Sequence, residues 1–124
     1  MAIQRFEEMK VWQDSRTLTK FIYELTGSIR FKKDFGLKDQ IQRASVSVMS
    51  NIAEGYERDG NKEFIRFLLY SKGSIGEVRS LLCVALDLAY ISNDEFRRGI
   101  ESAIAISAQV ANFIKYLHKN ISGN

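Results

Sequence analysis

Residues 61–90, NKEFIRFLLYSKGSIGEVRSLLCVALDLAY, decide the fold. Phe64, Phe67, Leu68, Ser71, Ile75, Val78, Leu82, Ala85 and Ala89 recur at helical spacing, which gathers them onto one face of an α-helix. The spacing predicts a helix over 61–90, roughly 40 Å long at 1.5 Å per residue. Asp59-Gly60 in front of it is a turn signal, Asn61 stands where an N-cap belongs, and Glu63 falls in the first turn.

The same period extends to both sides. Leu37, Ile41, Ala44, Val48 and Ile52 predict a helix over 37–54, with Gly55 as its stop. Val11, Leu18, Ile22 and Leu25 predict another over 8–26, ending at Gly27. Ser92-Asn93-Asp94-Glu95 reads as a capping box opening a helix over 93–119. Its stripe is Phe96, Ile100, Ala103, Ile104, Ser107, Val110, Ala111, Ile114 and Leu117. The chain has no proline and few turn clusters, which disfavours an all-β architecture. Four amphipathic helices with short connections predict an all-α fold: one antiparallel up-down-up-down four-helix bundle spanning 1–124 and assembling as a homo-oligomer.

Composition narrows the chemistry. With 124 residues, one Cys and one His, the chain cannot hold an internal disulfide, and a two-Cys or Cys/His zinc site lacks its ligands. The N-terminal stretch MAIQRFEEMKVWQD has neither a signal-peptide core nor a membrane span, so a cytoplasmic setting without membrane contact is expected. His118 follows Lys115 by three residues, where a di-metal bundle would place Glu. Cys83, inside LLCVAL, reads as a small core residue, and no phosphate-binding or dinucleotide glycine motif is present. No catalytic, cofactor-binding or metal-ligating residue is expected, and the chain does not read as an enzyme.

Three surfaces remain. From Leu81 to Ile91 every residue but Asp87 is apolar, and a helix apolar all round is buried all round. A subunit interface would supply that cover; the alternative is a broad monomer core. Trp12 and Tyr23 project away from the Leu18 and Ile22 face, so the interface candidates are Trp12, Tyr23, Val84, Leu86 and Leu88. Mid-helix Gly73 and Gly76, with Ser71 and Ser74, form a patch of small residues that invites close backbone approach.

The second surface is polar. Ser47, Asn51 and Glu54 lie beside the core stripe of one helix, and Ser74 and Glu77 repeat the three-residue spacing on the next. They predict either a buried hydrogen-bonded network that sets helix register, with desolvated carboxylates, or a small-ligand or enzymatic site around Asn51 and Glu54. The third surface is basic. Residues 28–43, SIRFKKDFGLKDQIQR, carry Arg30, Lys32, Lys33, Lys38 and Arg43 against two Asp, which accounts for the whole net charge of +3. Phe31 and Phe35 are interleaved with them, a combination suited to RNA or another single-stranded nucleic acid; a solvated loop with its Phe residues tucked under the bundle is the other reading.

Several strings together carry a resemblance. FEEMKVWQDSR, FGLKDQIQRASVSVMSNIAEGYER and EFIRFLLYSKGSIGEV resemble, in order and across almost the whole chain, the four-helix-bundle proteins of the rRNA intervening-sequence family. Trp12, Gly36, Leu37, Gln40, Arg43, Ser47, Ser50, Asn51, Ile52, Ala53, Glu54, Gly55, Gly73, Ser74 and Glu77 occupy its characteristic positions. Where relatives carry two prolines this chain has Arg30 and Met49, which predicts a straighter second helix and a less rigid basic loop. The resemblance implies a homopentamer. A related branch, the accessory variability proteins of retroelements, implies nucleic acid and a nucleic-acid enzyme as partners. A scaffold that recruits protein without a nucleic-acid role is the alternative.

Overall fold

The computed structural model describes residues 3–122. Its elements are helices α1 (Lys10–Thr26), α2 (Phe35–Glu57), α3 (Asn61–Asp87) and α4 (Asn93–Ser122), with short 3₁₀ turns at Phe6–Glu8 and Phe31–Lys33. Packing runs around a square, α1 on α2, α2 on α3, α3 on α4 and α4 back on α1, and short loops make neighbours antiparallel. The fold is an up-down four-helix bundle.

Sequence dictates each junction. Asp34 caps α2, its carboxylate accepting from the Leu37 amide at 3.1 Å. The capping box of α4 forms in both directions: the Glu95 amide donates to Ser92 Oγ at 3.1 Å and the Ser92 amide to Glu95 Oε1 at 2.8 Å. At α3 the cap position belongs to Gly60, with φ of 85°, and Asn61 is the first helical residue. The sharp entry needs a left-handed backbone, which glycine adopts without strain, and this displaces the expected Asn cap.

The core takes the predicted stripes of α1, α2 and α3 almost whole: Leu18, Ile22, Ile41, Val48, Ile52, Leu68, Ile75, Val78 and Leu82 are essentially inaccessible. Ser71, a polar residue on the α3 stripe, donates to the Val48 carbonyl at 2.8 Å and so joins the core without an unmet hydrogen bond. On α4 the stripe is rotated from the expected one. Ile104 faces outward at 47 % exposure, whereas Ile106 is buried at 1 %, because Ala103, Ile106, Val110 and Leu117 form the seam that meets α1 and α3.

Two helix ends correct the sequence reading. Helix α2 continues through Gly55 to Glu57. Gly55 is buried, and a Cβ there would lie 2.8 Å from Phe67 Cβ and 3.3 Å from the Phe64 carbonyl oxygen, so this glycine admits α3 instead of ending α2. Helix α3 stops at Asp87, short of Tyr90. The Tyr90 amide donates to the Ala85 carbonyl and the Ala89 amide to the Leu86 carbonyl, both at 2.9 Å, with Ala89 at φ of 58°. That is a Schellman closure with alanine in the position glycine usually fills.

The apolar run from Leu81 to Ile91 therefore divides. Leu81, Leu82 and Ala85 face the core, and Ile91 is buried beyond the helix end. Cys83 and Ala89, expected in the core, are instead exposed, as are Val84 and Leu88. Not every face of this segment is covered within the bundle.

Candidate functional site

The polar residues of α2 and α3 meet, but only in part. Asn51 Nδ2 donates to the carbonyl and to the Oγ of Ser47, both at 2.9 Å, and Ser74 Oγ reaches Ser47 Oγ across the helices at 2.9 Å. These three form a pin that fixes the register of α2 against α3. Glu54 and Glu77 lie outside it and are exposed, contrary to the desolvated carboxylates expected. Glu54 pairs with Arg58 at 3.0 Å, one helical turn on, and Glu77 accepts from Gln40 Nε2 at 3.4 Å. Glu54 lies one turn beyond Asn51 on α2 and stays exposed although the next residue, Gly55, is buried against α3.

Beside the pin runs an open groove of about 490 Å³, lined by Gly36, Asp39, Gln40, Arg43, Ala44, Ser47 and Glu77. Side chains added at Gly73 or Gly76 would meet nothing within 4 Å. The expected close backbone approach at these glycines does not occur within one bundle, since α3 turns this face outward. Among the described residues no group of three or more His, Cys, Asp or Glu side chains stands together. No helix among them is long and apolar enough to cross a membrane.

The basic stretch is sorted by the structure into three kinds of side chain. Arg30, though exposed, lies against the end of α3: its Nη2 donates to the Leu88 carbonyl at 3.2 Å and its Nη1 to the Ala89 carbonyl at 3.3 Å, with the guanidinium 5.8 Å above the Tyr90 ring. Arg43 is held by Asp39 at 2.8 Å, one turn before it. Lys32, Lys33 and Lys38 form no ion pair among the described residues. The two aromatics separate as well. Phe31 is buried against Tyr90, ring centroids 5.3 Å apart, while Phe35, first residue of α2, is 73 % exposed with Lys38 Nζ 5.4 Å from its ring centre.

The Arg30 contact ties this loop to the end of α3. The Tyr90 hydroxyl donates to Asp34 Oδ2 at 3.0 Å, and that bond to a carboxylate holds the phenol above the usual tyrosine range. A loop expected to be loose is thus anchored at Arg30, Phe31 and Asp34. Tyr90 was not among the predicted site residues, and its one readable signal was an aromatic placed just past the helix end.

The oligomer candidates also separate. Trp12 is half-buried, edge-on to Phe6 at 5.2 Å with Arg16 over its ring, and Leu86 packs partly against the core. Tyr23, Val84 and Leu88 are exposed. Leu69, at 53 % exposure, is a further exposed apolar residue of α3, which the sequence reading passed over.

Residues 7–112 match the family model described as 23S rRNA-intervening sequence protein. The chain belongs to this family. The matched region holds the Ser47, Asn51 and Ser74 pin, the close-approach Gly55 and the whole basic loop. Among solved structures, a protein of unknown function from the S23 ribosomal protein family of Bacteroides thetaiotaomicron superposes with a TM-score of 0.77 at 21% identity, covering 85% of this chain and 98% of that one. The likeness at this identity is one of fold. A search of the curated proteins finds no match.

Proposed function

We propose that this family member is a non-enzymatic homo-oligomer of four-helix bundles, a pentamer, which associates with single-stranded nucleic acid through the loop between α1 and α2. The observation that carries this reading is the Phe35 ring, exposed at the start of α2 with Lys38 beside it and with Lys32 and Lys33 on the preceding turn. An exposed aromatic gives an unpaired base a stacking platform, and unpaired ammonium groups around it meet the flanking phosphates. Repetition around an oligomer multiplies a patch whose single-copy charge is small.

Assembly is supported by the outer face of α3. Leu69, Gly73, Gly76, Ser80 and Cys83 are exposed and alternate at spacings of four and three, the repeat that keeps one seam facing another helix. Val84, 40 % exposed, flanks them. Light scattering should give about five times the 14.2 kDa chain mass, and Val84→Glu should yield smaller species that keep their helical signal. A wild-type mass of one chain overturns the oligomer.

For binding, the triple substitution of Lys32, Lys33 and Lys38 to Ala should lower the slope of log affinity against log salt by about 2, at ~0.7 per single-strand phosphate contact. Phe35→Ala should weaken binding roughly tenfold with the slope unchanged, since stacking is worth ~1–3 kcal/mol per base. An unaltered slope in the triple variant, or no binding by the wild type at low salt, overturns the nucleic-acid reading. Protein partners that stay bound after nuclease treatment would point to the scaffold alternative.

A further inference from the structure

We infer that Arg30 is a positioning residue for the Phe35 surface, a clasp between two loops, and not a phosphate ligand. The nucleic-acid part of this inference rests on the proposed binding function; the clasp itself does not.

The last carbonyls of an α-helix lack intrahelical donors and carry the negative end of its dipole. At the end of α3 the guanidinium of Arg30 takes one of these positions, the carbonyl of the C-cap residue Leu88, together with the next carbonyl, that of Ala89, from a loop 58 and 59 residues earlier in the chain. Its planar fork makes both bonds at once while its face lies over Tyr90. Tyr90 passes the connection on. Its ring packs against buried Phe31, and its hydroxyl donates to one oxygen of Asp34. The other oxygen of Asp34 caps α2 at the Leu37 amide, one turn into the helix that begins with Phe35. An unbroken series of contacts runs from the end of α3 to the first turn of α2, and the exposed ring stands at its far end.

This arrangement also decides which cations are available. Arg30 is exposed like Lys32 and Lys33 on the same loop, but two of its donors are directed at carbonyl oxygens beyond the end of α3, whereas neither lysine forms an ion pair among the described residues. Loss of Arg30 should therefore act on the order of the platform and leave the number of phosphate contacts unchanged.

The test uses the whole protein with two readouts. Hydrogen exchange without nucleic acid should speed up about tenfold in Arg30→Gln at amides 34–38 and 88–91, with the centres of α1 and α4 unchanged. Tyr90→Phe, which removes only the bond to Asp34, should affect 34–38 alone and serves if the first variant fails to fold. With fluorescein-labelled oligouridylate as the probe, Arg30→Gln should bind several-fold more weakly at an unchanged salt slope. A slope lower by about 0.7 makes Arg30 a phosphate ligand and overturns the inference, as does unchanged exchange in both segments. If the wild type does not bind the probe, the binding function fails while exchange still judges the clasp.

Discussion

Replacing Gly55 by Ala sets two effects of known sign against each other. In a helix interior the change favours folding by about 1 kcal/mol, because alanine is the better helix former. Against this stands the wall of α3. The new methyl would lie 2.8 Å from Phe67 Cβ, 3.0 Å from Phe64 Cδ1 and 3.3 Å from the Phe64 carbonyl oxygen. A ring edge can swing aside, but Phe67 Cβ and the Phe64 carbonyl are fixed to the α3 backbone, so the helix itself must retreat by several tenths of an ångström. Such overpacking costs about 1–3 kcal/mol, occasionally more, and here it also stretches the Ser71 to Val48 bond that crosses the same pair. The expected net result is destabilisation by about 1–2 kcal/mol, read as a lower urea midpoint at unchanged slope and matched protein concentration. Gly99→Ala is the control. Its methyl would meet Leu82 Cδ1 at 3.0 Å and Phe21 Cε2 at 3.3 Å, both far ends of flexible side chains, so stability should stay within about 0.5 kcal/mol of wild type. A Gly55→Ala protein as stable as wild type would refute the reasoning, since it would show that α3 is free to move.

Three further outcomes are expected. Gly73→Ala with Gly76→Ala adds methyls where one bundle has empty space, so each should favour the isolated helix by up to ~1 kcal/mol, yet the pair should lower the mass seen by light scattering; unchanged mass would exclude these glycines from the contact. Ala89→Gly relieves a left-handed alanine at φ of 58° and should raise stability by ~0.5–1 kcal/mol after the greater freedom of glycine in the unfolded chain is counted; a lower urea midpoint would contradict the closure described. Because the Asp34 bond raises the folded-state pKa of Tyr90, its contribution is complete below the unfolded value near ~10 and disappears as pH rises through the folded one, so the stability gap between wild type and Tyr90→Phe should narrow in that window. Phenolate absorbance checks it: the phenol lost in Tyr90→Phe should be one that titrates above the ordinary range.

The helical period was legible because it belongs to each helix alone; what the period does not contain is the identity of the neighbour. On α4, Ile104 and Ile106 are both apolar and about 200° apart around the axis, so periodicity admits either, and only the positions of α1 and α3 choose Ile106. Gly55 shows the same limit in another form. A glycine after an apolar stripe is equally the sign of a helix end and of a tight crossing, and Phe64 and Phe67, not any residue of α2, decide between them. The polar pin was half readable: Ser47 to Asn51 is a spacing of four on one helix, whereas Ser74 Oγ enters from the next, and Glu54 instead answers to Arg58.

The basic stretch is where a count of charges misleads most. Five cations in sixteen residues read as one patch, but two of them already commit donors and charge to groups of their own bundle. For Arg43 the contrary signal was in plain sight, an Asp four residues earlier at the spacing that favours a helical ion pair. For Arg30 no local signal existed, because its acceptors, the Leu88 and Ala89 carbonyls just past α3, lie 58 and 59 residues away in the chain. Both arginines thus spend donors on groups of their own bundle, which leaves Lys32, Lys33 and Lys38 around Phe35 as cations of this stretch that form no ion pair among the described residues.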